Sequence, residues 1–214
     1  YYKAGILFES ILTSVKHKDE AEEVHLKYAY CQYYEEQFTM SAHYFKKFFQ
    51  TYPISDFVQE AYYMYAVSLY AISPPQNLDQ SNSQMAISAF ETFLNKFPET
   101  EYKESCNEMV DELQSKIELK AYNNAYLHYK IRNYKAAVTV FENFYNDYPA
   151  SLYNEELSYL KIDAQYRLAE ISKEIDFDSN KKKVKLKEER YSKVKEFYYN
   201  FVDLYPDSGY IKDA

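Results

Sequence analysis

The sequence predicts an all-α fold, a right-handed superhelix of stacked helix pairs, and three observations carry that prediction. The first is composition. The 214 residues hold 27 Tyr, 14 Phe and six Pro, but no Trp and only two Gly. Hairpin turns, phosphate-cradling loops and nucleophile elbows draw on Gly because the backbone must take a positive φ or approach a ligand closely. A β-rich fold and most nucleotide and hydrolase sites are therefore excluded. The second observation is an aromatic–proline stop met four times: Tyr52–Pro53, Phe97–Pro98, Tyr148–Pro149 and Tyr205–Pro206. The third is what surrounds each stop. Phe stands five residues before it (Phe48, Phe93, Phe144, Phe201), and an aromatic stands eight before (Phe45, Phe90, Phe141, Tyr198). Ser or Thr stands two after it (Ser55, Thr100, Ser151, Ser208), and an aromatic stands four after (Phe57, Tyr102, Tyr153, Tyr210). Aligned features repeated in this way mark an internally repetitive chain.

Each feature has a physical task. Positions three, four and seven apart share one face of a helix, so the aromatics before each Pro form one apolar stripe. The Pro ring pushes the preceding residue out of the α region and ends the helix. The Ser or Thr that follows is placed to N-cap the next helix. Acids then crowd the expected first turns (Asp56, Glu101, Glu104, Glu155, Glu156), where the helix dipole favours them.

Working outward, the pattern predicts helices over 2–15, 20–37, 39–52, 56–73, 83–97, 101–132, 134–148, 152–175 and 186–205, with a last start at 209. The first reads as a second helix without its partner, using Ala4, Phe8 and Ile11. The rest group as pairs over 20–53, 56–98, 101–149 and 152–206, with 1–16 the remnant of an earlier pair, and the whole chain forms one array. Such helix–turn–helix units ending in Pro match the tetratricopeptide repeat, which also needs a small residue in its second helix. Ser41, Ala86, Ala137 and Val194 occupy that place. Length beyond ~34 residues per unit is assigned to a polar loop over 73–82, to the long helix over 101–132, and to a polar linker over 176–185.

Charge narrows the function. The chain carries 25 basic against 33 acidic residues, a net −8. Nucleic-acid affinity rests on Lys and Arg neutralising phosphates, so no nucleic-acid partner is expected. No apolar run reaches the 18 residues of a membrane-spanning helix. His17, His25, His43 and His128 form no paired-ligand spacing, so no metal is expected, and no motif calls for a cofactor. Carboxylates are many but fall on polar helical faces, and no Ser sits in a Gly-framed elbow; an enzyme is not expected. Cys31 and Cys106 form no CxxC motif and read as unpaired thiols buried in helices.

Two candidate surfaces remain. One basic cluster, Lys181, Lys182, Lys183, Lys185 and Lys187, lies in the expected linker before the last helix and offers a contact for an acidic partner or anionic headgroups. Tyr is the more informative residue. In a tetratricopeptide array the first helix of each pair lines the concave face. A register set on Pro53, Pro149, Ala66 and Ala169 places Tyr30, Tyr33, Tyr34, Tyr63, Tyr70, Tyr122, Tyr126, Tyr129 and Tyr166 there. Tyr offers an apolar ring and a hydroxyl, which suits a peptide groove. The alternative for any one of them is packing between helices with the hydroxyl at the rim.

The segments KKFFQTYPISDF, ETFLNKFPETEY and ENFYNDYPASLY, with the insertion LDQSNSQM and the long helix KAYNNAYLHYKIRNY, resemble the BamD family of tetratricopeptide outer-membrane assembly lipoproteins. The Tyr-rich, acidic stretch EEVHLKYAYCQYYEEQF is similar to members from Bacteroidota-type bacteria. The resemblance implies a non-enzymatic scaffold at the periplasmic face of the outer membrane. It implies docking on the POTRA domains of a BamA-type barrel protein through the C-terminal repeats, contacts with other assembly subunits, and reception of unfolded outer-membrane protein clients through the N-terminal repeats. Membrane contact is implied only through a lipidated cysteine, which neither Cys31 nor Cys106 supplies. Where members of the family carry a basic residue on the fourth repeat's second helix, this chain has Val140. Two alternatives stay open: a glycan-binding helical-repeat lipoprotein, and a tetratricopeptide adaptor that clamps a peptide carboxylate, for which Asn123 and Asn124 are the only hint.

Overall fold

The computed structural model describes residues 1–12, 14, 20–171 and 180–212, without the side chains of 180–185. Its elements in order are α1 (Tyr2–Leu12), α2 (Ala21–Tyr34), α3 (Phe38–Thr51), α4 (Val58–Ala71), α5 (Ser81–Lys96), α6 (Lys103–Lys130), α7 (Tyr134–Asp147), α8 (Asn154–Ile171) and α9 (Asn180–Leu204). A short 3₁₀ turn, Gly209–Lys212, lies where the sequence marks a last start. The described residues hold no strand, and each expected helix has its counterpart, as the tetratricopeptide pattern requires.

The aromatic–proline stop is one turn built four times. The N–H groups of Tyr52, Phe97, Tyr148 and Tyr205 make the last bond of each helix, to the carbonyls of Phe48, Phe93, Phe144 and Phe201. The N–H of the Ser or Thr three residues on then donates to the carbonyl of that same aromatic. The hydroxyl's role corrects the expected N-cap. Ser55, Thr100, Ser151 and Ser208 accept from the N–H two residues later, at 3.1–3.3 Å. These are side-chain turns of the Ser/Thr kind, and they hold one further turn before the helix. Accordingly α4, α6 and α8 begin at Val58, Lys103 and Asn154 rather than at 56, 101 and 152.

Three other expectations are corrected. The Lys run is not a linker: Asn180 to Lys185 form the first turns of α9. Lysine is a good helix former, and that preference extends the helix past the polar composition that suggested a loop. The linker's other positions, 176–179, lie outside the described residues. In α1 the buried residue is Gly5, with Ala4 and Phe8 half-buried and Ile11 exposed. Gly5 brings α1 against Cys31 of α2, where a Cβ would meet the Cys31 Cβ at an ordinary 3.6 Å. Finally, a shortage of Gly does not keep the backbone out of positive φ. Glu36 (φ 58°) and Arg132 (φ 63°) take the left-handed conformation in the turns that end α2 and α6. The next residues, Gln37 and Asn133, donate back to the carbonyls of Gln32 and His128, so ordinary side chains fill the place that Gly usually takes in this helix stop.

The loop between α4 and α5 is tied by one side chain. The buried Gln80 amide donates to the carbonyls of Pro75 (2.8 Å) and Leu78 (3.2 Å) and accepts from the Ser83 hydroxyl (2.7 Å).

The chain forms two compact units, Tyr1–Ile117 and Glu118–Ala214, divided within α6. In the first, Phe45, Phe48 and Phe49 of α3 pack on Ala29, Ala61 and Met64. Phe90 and Phe93 of α5 pack with Ala66, Ala86, Cys106 and Leu113. In the second, Phe141 and Phe144 of α7 pack with Ala125, Leu157, Leu160 and Ala164. The stripe residues five before each Pro are all buried, as are Ser41, Ala86 and Ala137 at the small-residue place. Val194 is only half-buried. Both cysteines are buried and unpaired, and burial pushes the Cys106 thiol up to about 11.

Candidate functional site

The first helices are α2, α4, α6 and α8, and a recurring hydrogen bond joins a tyrosine of one to a carboxylate of the next. The Tyr30 hydroxyl (α2) donates to Glu60 of α4. Tyr70 (α4) donates to Glu112 of α6. Tyr122 and Tyr129 (α6) donate to Glu156 (2.9 Å) and Asp163 (2.5 Å) of α8. Each bond runs from one first helix to the next. The last two span 34 residues each, close to the length of one tetratricopeptide unit.

The rings pack as well. In the first unit Tyr30 stands edge-on to Phe45, with centroids 5.1 Å apart. Tyr33 meets Phe38 edge-on at 5.4 Å, and Tyr63 lies flat on Tyr102 at 4.1 Å. Tyr34 is 53% exposed and stacks on Tyr1 at 4.3 Å. In the second unit Tyr122 stacks on Tyr153 at 4.3 Å and on Tyr126 at 6.0 Å, and Tyr129 follows Tyr126 at 6.2 Å. Tyr166 is 48% exposed, edge-on to Tyr191 at 6.1 Å. Of the nine candidates, Tyr34 and Tyr166 are exposed and the other seven are half-buried. Tyr30, Tyr33, Tyr34, Tyr63 and Tyr70 fall in the first unit, and Tyr122, Tyr126, Tyr129 and Tyr166 in the second.

Sequence reasoning found the tyrosines and missed their acceptors. Glu60, Glu112, Glu156 and Asp163 belong to the same faces. The signal was available where the period is regular: an acid stands one repeat length after Tyr122 and after Tyr129. The hydroxyls of Tyr30, Tyr70, Tyr122 and Tyr129 are spent within the protein, so at these four a ligand meets ring faces and the remaining carboxylate lone pairs. Both suit a polypeptide with apolar side chains and free N–H donors. They do not suit a peptide carboxylate.

The electrostatics follow from this pairing. Burial and the Glu60 and Glu156 carboxylates hold the Tyr30 and Tyr122 phenols well above the ordinary tyrosine range. The hydrogen bond to Glu112, with burial, pushes Tyr70 up to about 12. Burial and Asp163 do the same for Tyr129, again to about 12. Raised phenol values stabilise the fold below the ordinary value of ~10. That contribution is lost as pH climbs from ~10 through the folded values. The chain holds 27 Tyr, so in a pH titration that follows tyrosinate absorbance and helical circular dichroism together it is the last tyrosinates to form that are expected to appear with the loss of helix. Tyrosinate formation that is complete while the helix signal is still intact would contradict the pairing.

The basic cluster divides. Lys187 is half-buried, with its amine 5.7 Å from the Tyr191 ring centre. The side chains of Lys181, Lys182, Lys183 and Lys185 lie outside the described residues. Val140 packs against the core of the second unit, where a charged side chain would have to leave apolar neighbours. Among the described residues no helix is long and apolar enough to cross a membrane, and no three His, Cys, Asp or Glu residues gather to hold a metal ion.

Comparison with known proteins agrees with the resemblance carried by the repeats. The chain is 25% identical over 170 residues to the outer membrane protein assembly factor BamD of Rickettsia prowazekii. That match takes in 79% of this chain and 65% of the relative, so the chain spans about two thirds of the relative's length. A model of the YfiO family, described as outer membrane lipoprotein, matches residues 1–118. That match covers more than half of the 214 residues and takes in α1, the pairs α2–α3 and α4–α5 and the first half of α6, so the chain belongs to the YfiO family of outer membrane lipoproteins.

Proposed function

We propose that this protein is a non-enzymatic scaffold and client receptor in the assembly of outer-membrane β-barrel proteins, held at the periplasmic face by a lipid anchor. Family membership and the assembly-factor relative support the setting. The observation that carries the mechanism is the set of tyrosine faces on the first helices, where four hydroxyls are committed to carboxylates of the next first helix and the rings are left to bind. An unfolded barrel segment is extended, aromatic and rich in unpaired backbone N–H. Rings offer its side chains an apolar surface, and Glu60, Glu112, Glu156 and Asp163 offer acceptors to its donors. The same acids disfavour a carboxylate clamp, which needs cations at those places. The second unit, by the same family reasoning, docks on the POTRA domains of a BamA-type partner.

Tyr33 and Tyr34 are the test positions, because among the described residues neither hydroxyl bonds to a neighbouring repeat and Tyr34 is open to solvent. Changing both to Ala is expected to weaken binding of a C-terminal barrel-strand peptide about tenfold, near 1.4 kcal/mol. Fluorescence anisotropy with a labelled peptide measures it. Unchanged affinity in a variant with native circular dichroism sinks the groove assignment. Docking is tested separately, by co-purifying the full-length protein with a purified POTRA array.

A further inference from the structure

The first unit carries a second surface that shares no residue with the tyrosine faces. Between α3 and α5 lies an open cavity of about 650 Å³. Its lining includes Tyr62 and Tyr65 of α4 and Phe49 of α3. Phe49 lies flat on Tyr62 with centroids 3.8 Å apart and edge-on to Tyr65 at 5.7 Å, so these rings are locked in place. One wall is a face of α5 bared over three turns: Ser81, Gln84, Met85, Ser88 and Thr92 line it, and Met85 is exposed.

Charge sets this cleft apart. The chain is net −8, yet no Asp or Glu lines the cavity. Lys46 lines it with its amine 5.9 Å from the Tyr65 ring centre. Lys96 is not part of the lining but neighbours it, lying over the Tyr62 ring at 4.4 Å and donating to its hydroxyl at 3.1 Å. Neither lysine makes an ion pair among the described residues.

Shape decides the kind of ligand. From Ser81 to Thr92 the wall runs about 16 Å, at 1.5 Å per residue, which is long for a compact small molecule. Helices pack by placing a stripe of side chains into the groove of another helix, at i, i+3, i+4 and i+7 spacing, and the bared wall of α5 has that spacing. An extended segment brings unpaired main-chain N–H groups that need acceptors; the tyrosine faces offer side-chain carboxylates, whereas no Asp or Glu lines this cleft and the interior of a helix has no free backbone groups to give.

We infer that the cleft between α3 and α5 docks an acidic amphipathic helix of a partner protein, its apolar stripe on Tyr62, Tyr65 and Met85 and its carboxylates toward Lys46 and Lys96. The probe is a synthetic helical peptide of four turns with Leu and Ala at i, i+3, i+4 and i+7 and Glu on the flanks. Two companions serve as comparison: one with the Glu replaced by Lys, and one broken by a central Pro. Binding to the whole chain is read by anisotropy, with the Met85 methyl followed by NMR.

The acidic helix is expected to bind, to move the Met85 signal, and to lose affinity as salt rises. Lys46→Glu with Lys96→Glu is expected to weaken it about tenfold or more. The same pair is expected to strengthen binding of the Lys peptide. Both lysines are exposed, so this variant keeps its fold, and circular dichroism checks it. Equal binding of the acidic, basic and broken peptides overturns the proposal, as does an unmoved Met85 signal or no binding at all. The Tyr33, Tyr34 double variant is expected to bind the acidic helix unchanged, so failure of either reading leaves the other standing.

Discussion

Phe93→Ala is expected to remove about 3–5 kcal/mol of stability, the usual cost of emptying a fully buried Phe site. Phe93 has no exposed surface and stands five residues before Pro98. Its ring meets Phe97 at 5.5 Å, Tyr63 at 5.8 Å and Tyr102 at 6.4 Å. It therefore ties the end of α5 to α4 and to the start of α6. Truncation leaves a cavity among rings that are themselves stacked, and stacked rings collapse poorly into space. Urea unfolding of the purified chain measures the loss. Repeats are held by nearest neighbours, so hydrogen exchange is expected to rise most in α4, α5 and the first half of α6. Phe57→Ala, which changes the exposed aromatic four after Pro53, is the contrast and is expected to fall within about 1 kcal/mol of the parent.

Asn154→Asp is expected to cost about 3 kcal/mol at neutral pH, in the range for an uncompensated buried charge. The side chain is 3% exposed. Its Nδ2 donates to the carbonyls of Tyr148 (2.7 Å) and Pro149 (3.1 Å), closing the turn from α7 to α8, and its Oδ1 finds no donor among the described residues. Aspartate keeps the shape but sets carboxylate oxygens against two carbonyls. Burial and that repulsion raise its pKa above the unfolded value of ~3.9. A raised carboxyl favours the fold most below the unfolded pKa and loses that contribution as pH rises through the folded one. The stability deficit is thus expected to be small near pH 4 and to grow toward pH 7, the reverse of what a salt-bridged acid does. Asn154→Ala, which only orphans the two carbonyls, is expected to cost about 1–3 kcal/mol with no such slope. Unfolding curves at several pH values separate the two, and a flat profile for the Asp variant contradicts the assigned contacts.

The four Phe five before the prolines were readable as core because a helix stripe and a forced stop are local properties, fixed by a few consecutive residues. The start of each following helix was readable only to within two or three residues. A hydroxyl after Pro serves a cap or a side-chain turn equally well by type, and the choice depends on where the next helix must begin to pack. The Lys run was misplaced for a related reason: polarity marks solvent contact, not absence of helix. Glu36 and Arg132 were not readable at all, since side chains that tolerate positive φ there do so because the helices on both sides hold them.

The tyrosines mark the same boundary at the site. Their placement on the first helices follows from period alone. Their roles do not, because a phenol facing a neighbouring repeat is defined by the acid opposite it, 30 to 42 residues away. The family, the helix order, the stops and the buried stripe were determined by the sequence by itself, through short-range sterics and helical periodicity. Which hydroxyls are spent on carboxylates, which rings remain open, and the cleft without an acid between α3 and α5 were decided only by tertiary structure, because each depends on side chains that meet across helices and share no local rule.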